Sequence, residues 1–213
     1  FLFMNGGPSQ IDTFDPKPLL DKEHGNPIKL KTPPTQFANV GKVLKSPWKF
    51  RNYGECGLSV SDLLPHTATC ADDLCVVRSM VGELPLHGQQ NLLLHTGRIL
   101  GQAPSIGAWV SYGLGTENRN LPAYVVLNND WVPNGGLENF GSSFLPASHQ
   151  ATMVRAKGVP VDNIAPHDAA MIQRRTLALL AEQDAEFAAS TSDAHAIEAA
   201  IANYETAFRM QSA

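Results

Sequence analysis

No stretch of this 213-residue chain approaches the about eighteen consecutive apolar residues that cross a bilayer as a helix, so a helical membrane span is excluded. No basic segment followed by an apolar core and a small-residue cleavage site leads into Phe1, and the chain is expected to be a mature or trimmed product. An excess of basic charge is also missing. Against 16 Lys and Arg stand 20 Asp and Glu, a formal charge of -4, and nothing in that balance points to nucleic acid. Cysteine is scarce: Cys56, Cys70 and Cys75 are odd in number and lack C-x-x-C spacing, which supports neither a disulfide scaffold nor a zinc knuckle. Cys70 and Cys75 fall within an apolar helical pattern and are expected in the core. No internal repeat is visible. What is present, 43% hydrophobic residues over this length, suffices for one substantial globular domain.

Leu2 to Met4 form a short apolar run ended by Gly6-Gly7, the pattern of a buried strand leaving a sheet in a tight turn. Residues 16–57 are rich in Pro, Gly, Lys and Asn without a sustained period, including "KTPPTQ" and "KSPWKF", and predict a long surface excursion. Leu64, Ala68, Ala71 and Cys75 recur at helical spacing, predicting a helix from near Asp62, and "LCVVRSM" reads as the next buried strand. Further helices are expected over Gln89 to His95, stopped by Gly97, and over Ser105 to Tyr112, capped by Ser105. "LPAYVVLN" is a third strand. This alternation predicts an α/β domain with a mostly parallel sheet over residues 1–165, with its site beyond the carboxyl ends of the strands. From about Pro166 the chain turns alanine-rich, and Ile197, Ile201, Tyr204 and Phe208 share one helical face, so residues 166–213 read as a helical pair of the same domain.

The chemistry-bearing residues concentrate in two places. In "NGGPSQIDTFD" the glycines let the backbone approach a bound ion or phosphate, and Ser9 and Asp12 offer oxygen ligands for a divalent cation. The plain alternative is that Asp12 and Asp15 stabilise turns. In "LPLHGQQNLLLHTGR", His87 stands before a helix start, where free N–H groups favour an anion, and could ligate a metal or assist phosphoryl or sulfuryl transfer. Its plain alternative is a structural hydrogen bond. His149, His167 and His195 show no ligand spacing and read as surface residues.

Segments spread along the chain, among them "LFMNGGPSQIDTFDPKP", "YGECGLSVSDLLPH", "LLLHTGR", "PSIGAWVSYGLGTENRNLPAYVVL", "FLPASHQAT" and "YETAFRMQ", resemble in their order the N-terminal part of the domain of unknown function 1501 family. That resemblance implies a branch of the alkaline phosphatase and sulfatase superfamily. It thereby implies a doubly wound α/β core of alkaline phosphatase-like type, incomplete here, a divalent metal ion such as zinc, manganese or calcium, and export through a twin-arginine signal. Sulfatases carry C-x-P-S-R ahead of a T-G-R that is matched by Thr96-Gly97-Arg98. Counting back places His87 on the nucleophile position and Asn91 on that of the activating arginine, while Asp12, or less closely Ser9, matches the metal-binding acidic residue after the first strand.

Two departures qualify what the resemblance implies. His87 cannot become the formylglycine of sulfatases, no cysteine is followed by the required Pro and Arg, and alkaline phosphatases use Ser or Thr; His87 is therefore expected as a metal ligand, a base or a covalent nucleophile. The family's later motifs of the W-D-x-H, E-F-G-R and G-R-D-H kind are also absent from these residues. The expectation is the N-terminal portion of a sulfatase-like, metal-dependent hydrolase of small-molecule or polysaccharide phosphate or sulfate esters, incomplete by itself. Asp12 and Ser9 would serve as metal ligands, His87 as ligand or acid/base, and Asn91 and Arg98 would steady the anion. The alternative is a non-catalytic relative that keeps the fold for binding or assembly.

Overall fold

Between Phe50 and Ser61 the chain doubles back on itself: β1 (Phe50–Tyr53) and β2 (Leu58–Ser61) pair antiparallel from Phe50↔Ser61 to Tyr53↔Leu58. The loop Gly54–Gly57 that joins them is held from outside by Asp72. Its carboxylate accepts from the backbone N–H of Cys56 at 2.8 Å and of Glu55 at 3.0 Å, and these bonds hold it below the usual carboxylate range. The computed structural model describes residues 1–4, 6–29, 41–118, 120–128, 131–162, 164–190 and 194–212. Chain contacts divide them into two compact units, Phe1–His87 and Gly88–Ala213.

The first unit holds the β1–β2 hairpin, α1 (Pro18–Glu23) and α2 (Pro65–Ala68), around a small core of Val60, Ala68 and Ala71. Both helices open with a proline, whose missing N–H costs nothing at that position. The expected long excursion thus carries α1 and β1 in its described parts, while "KTPPTQ" lies outside the described residues. Leu2–Met4 is not a strand, and Leu2 is 98% exposed. "LCVVRSM" is likewise irregular, with Val77 and Met80 exposed. An apolar run becomes a strand only when a neighbouring edge takes its backbone N–H and C=O groups, and neither run meets one among the described residues. The helix expected from near Asp62 through Cys75 stops at Ala68. Thr69 turns its N–H and its hydroxyl onto the His66 carbonyl, and a single turn of 3-10 helix, Ala71–Asp73, follows. Cys70 and Cys75 consequently fall outside the helix and are exposed, not core.

The second unit contains α4 (Ile106–Leu114), the parallel pair β3 (Val125–Asn128) and β4 (Thr152–Arg155), and the helices α5 (Ala170–Ser190) and α6 (Ala194–Ser212). The helix α3 (His87–Thr96) begins at the boundary residue and runs into this unit. α4 starts where expected, the Ser105 hydroxyl accepting from the Ala108 N–H. β3 corresponds to the third expected strand, and its register with β4 runs from Val125↔Thr152 to Asn128↔Arg155. Its partner β4 is not among the strands expected from the sequence. α5 and α6 form the expected C-terminal helical pair, with Ala199 buried, and α6 packs on the short 3-10 turn Ala147–His149. The chain is therefore mixed α/β, with one antiparallel and one parallel strand pair among the described residues.

Candidate functional site

Gly6 and Gly7 both adopt left-handed backbone, at φ +91° and +66°, a pair of consecutive values that side-chain-bearing residues resist. This double reversal feeds a 3-10 turn, Gln10–Asp12, in which Asp12 N–H donates to the Ser9 carbonyl at 3.1 Å. Buried Thr13 locks the turn from below, its hydroxyl lying 3.2 Å from the Gln10 carbonyl and 3.3 Å from that of Ser9. The hairpin holds it from the other side. The buried Ser61 donates its hydroxyl to the Asp12 carbonyl at 2.6 Å and its N–H to the Thr13 carbonyl at 3.0 Å.

The carbonyls of Ser9, Gln10, Asp12 and Thr13 are thus all engaged, whereas two side chains of the turn are not. The Ser9 hydroxyl does not cap the turn, and neither it nor the Asp12 carboxylate makes a hydrogen bond to the described residues. Asp15 differs: its carboxylate, only 13% exposed, pairs with Lys17 at 2.7 Å and approaches Arg78 at 4.0 Å. Asp15 is structural, and Asp12 is left with a free carboxylate.

His87 meets this turn within the first unit. A Cβ added to Gly7 would stand 3.2 Å from Cε1 and 3.6 Å from Nδ1 of His87, so the imidazole lies directly over the glycine backbone. The ring is exposed and takes no hydrogen bond from the described residues. Asn91 and Arg98 belong to the second unit. The Asn91 amide donates to the Asn134 carbonyl at 2.9 Å, the same carbonyl that accepts from buried Asn139 at 3.1 Å, so its nitrogen is engaged in structure. Arg98 is exposed just beyond Gly97, and its backbone N–H donates to the Thr96 hydroxyl at 3.3 Å.

Among the described residues no three His, Cys, Asp or Glu side chains come together to hold a metal ion. Zinc sites take about four donors, one of them often water, and calcium sites about six to eight, and Asp12, Ser9 and His87 number three. What the turn offers is a glycine backbone with the His87 imidazole against it, and a hydroxyl and a carboxylate without hydrogen bonds to the described residues.

One histidine departs from its expected surface position. His149 is half-buried, its Nδ1 2.8 Å from the hydroxyl of buried Ser111 and its ring edge-on to Tyr112 at 5.3 Å between centroids. The two partners lie 38 positions apart, and no spacing rule joins them. His167 is exposed as expected, and the side chain of His195 lies outside the described residues.

No curated protein and no solved structure matches this chain. One family model does, and it covers residues 1–213. The chain therefore belongs to the family described as protein of unknown function DUF1501.

Proposed function

We propose that this chain is the N-terminal portion of a sulfatase-like hydrolase of phosphate or sulfate esters, with its anion-facing surface built from the Gly6–Asp12 turn and His87. One observation carries the reading: the His87 imidazole stands over Gly7, the glycine that leads into a turn whose Ser9 hydroxyl and Asp12 carboxylate make no hydrogen bond to the described residues. An imidazole next to a glycine turn can donate to an ester oxygen and hold or release a proton there, which is the work of an acid/base or anion-steadying group. Ser9 and Asp12 supply only part of a ligand set for zinc, manganese or calcium, so no step is routed through a metal. The doubly wound, alkaline phosphatase-like core and export by a twin-arginine signal belong to the same proposal.

Titration of the isotope-labelled chain with inorganic phosphate and with sulfate tests it. The Gly7 amide and the His87 imidazole should shift together with saturation, and the Gly7 shift should vanish in His87→Ala. No shift at either group overturns the reading.

The assembly reading keeps one observation of its own. Large apolar side chains stand open to solvent, with Leu2 98%, Val81 89%, Leu114 85% and Leu127 82% exposed, as on surfaces that other protein covers.

A further inference from the structure

The second unit holds a cavity of about 630 Å³ between the end of α4, the Ala147–His149 turn, the start of β4 and the last turns of α6. Its described lining contains one formal charge, that of Arg209, and no carboxylate. The remainder is mostly small apolar groups with amides and hydroxyls, including Asn118, Asn203 and Thr206.

His149 stands in this wall with its orientation fixed twice, by the Ser111 hydroxyl on Nδ1 and by the edge of Tyr112. The direction of the Ser111 bond follows from donor counting. Ser111 is 3% exposed, and its hydroxyl proton has only Nδ1 as an acceptor among the described residues. A buried hydroxyl gives its proton to the acceptor available, so Nδ1 accepts and the ring proton sits on Nε2. Nε2 has no partner of its own among the described residues and is not sealed from solvent. It is a donor left for the cavity. Arg209 is held by Glu205 at 3.3 Å and by the Thr206 hydroxyl at 3.2 Å, and its side chain stays 40% exposed. Its Nε–H is buried without an acceptor.

The geometry points to this cavity as a binding site for the oxyanion group of a small organic ligand, with His149 Nε2–H and the Arg209 guanidinium as its donors and Ser111 as the residue that positions the imidazole. An imidazole proton and a guanidinium facing a cavity whose described walls carry no negative side chain select an anion, because the charge-assisted bond is stronger than any the amides offer. The nearby amides and hydroxyls suit a ligand that also carries hydroxyl groups. A carboxylate and a phosphate or sulfate group present the same oxyanion chemistry. The site lies wholly within the second unit and does not depend on the turn at Gly7.

The test is a titration of the folded chain with acetate, inorganic phosphate and sulfate, followed on the His149 imidazole. Saturable shifts of its resonances are the expected result. The anion that binds most tightly separates the carboxylate from the phosphate or sulfate source. Arg209→Gln should weaken binding by about ten- to a hundredfold, the loss of one charge-assisted hydrogen bond. Ser111→Ala should also weaken it and shift the His149 tautomer signal, whereas His87→Ala should leave it unchanged. A His149 resonance unmoved by all three anions overturns the proposal, as does a shift that survives intact in Arg209→Gln. Because the first measurement uses the unaltered chain, a variant that fails to fold does not protect the idea.

Discussion

Single residues set the candidate site through what they leave unsatisfied. Asp12 and Asp15 lie three positions apart with the same chemistry, yet Asp15 is tied to Lys17 and Arg78 while the Asp12 carboxylate has no hydrogen-bond or ion-pair partner among the described residues. Which of the two carboxylates is tied down depends on the cations that fold back onto the turn, and a linear pattern does not show them. Gly7 makes the same point for backbone. Its φ of +66° resists a side chain, and the His87 ring 3.2 Å from where a Cβ would sit would have to give by a few tenths of an ångström. Gly7→Ala is expected to cost about 1–2 kcal/mol from the left-handed conformation alone and to push the imidazole aside. Thermal unfolding and the His87 imidazole spectrum check it; an unchanged spectrum would mean that the ring does not rest on this glycine.

At the scale of elements, the decisive contacts are those that join segments distant in sequence. The hairpin loop is fastened by Asp72, and the Gln10–Asp12 turn by Ser61, so the end of β2 braces residues 12–13. In the second unit α4 approaches Tyr124, just before β3, through Gly107, where an added Cβ would run into the phenol ring. Burial pushes the Tyr124 hydroxyl up, partly offset by its hydrogen bond with Ser105, the residue that caps α4. Gly107→Ala would force the helix and the ring apart. A loss of about 1–3 kcal/mol is expected, the range for overpacking, with faster amide exchange along α4 as the measurement. A full-stability alanine variant would show that the ring yields freely.

Across the whole molecule, the buried His95 links stability to pH. It is 5% exposed, edge-on to Phe140, and burial holds its imidazole below the ordinary value of 6.5. Between that lowered value and 6.5 the unfolded chain binds more protons than the folded one, so stability rises with pH through this window and levels off above it. Melting temperatures measured from about pH 5 to about pH 8 should show the slope, and His95→Phe should flatten it. An identical slope in the variant would place the titration elsewhere.

The sequence by itself determined the elements whose signals are local. The Ser105 cap of α4, the core of α3 ending before Gly97, the β-branched run of β3, the α5–α6 pair and the glycine turn at residues 6–7 all follow from periodicity, capping and backbone freedom. Only the tertiary structure decided which apolar runs become strands. Leu2–Met4 and "LCVVRSM" carry strand-like composition but pair with no strand among the described residues, whereas β4 forms because β3 offers it a parallel ladder. The site divides in the same way: the nomination of Ser9, Asp12 and His87 is local, but the closeness of His87 to Gly7 and the Ser111–His149 pair are long-range contacts. Hydrogen bonds and ladder pairing are satisfied by whichever group the fold brings within reach, and a linear pattern carries no record of that.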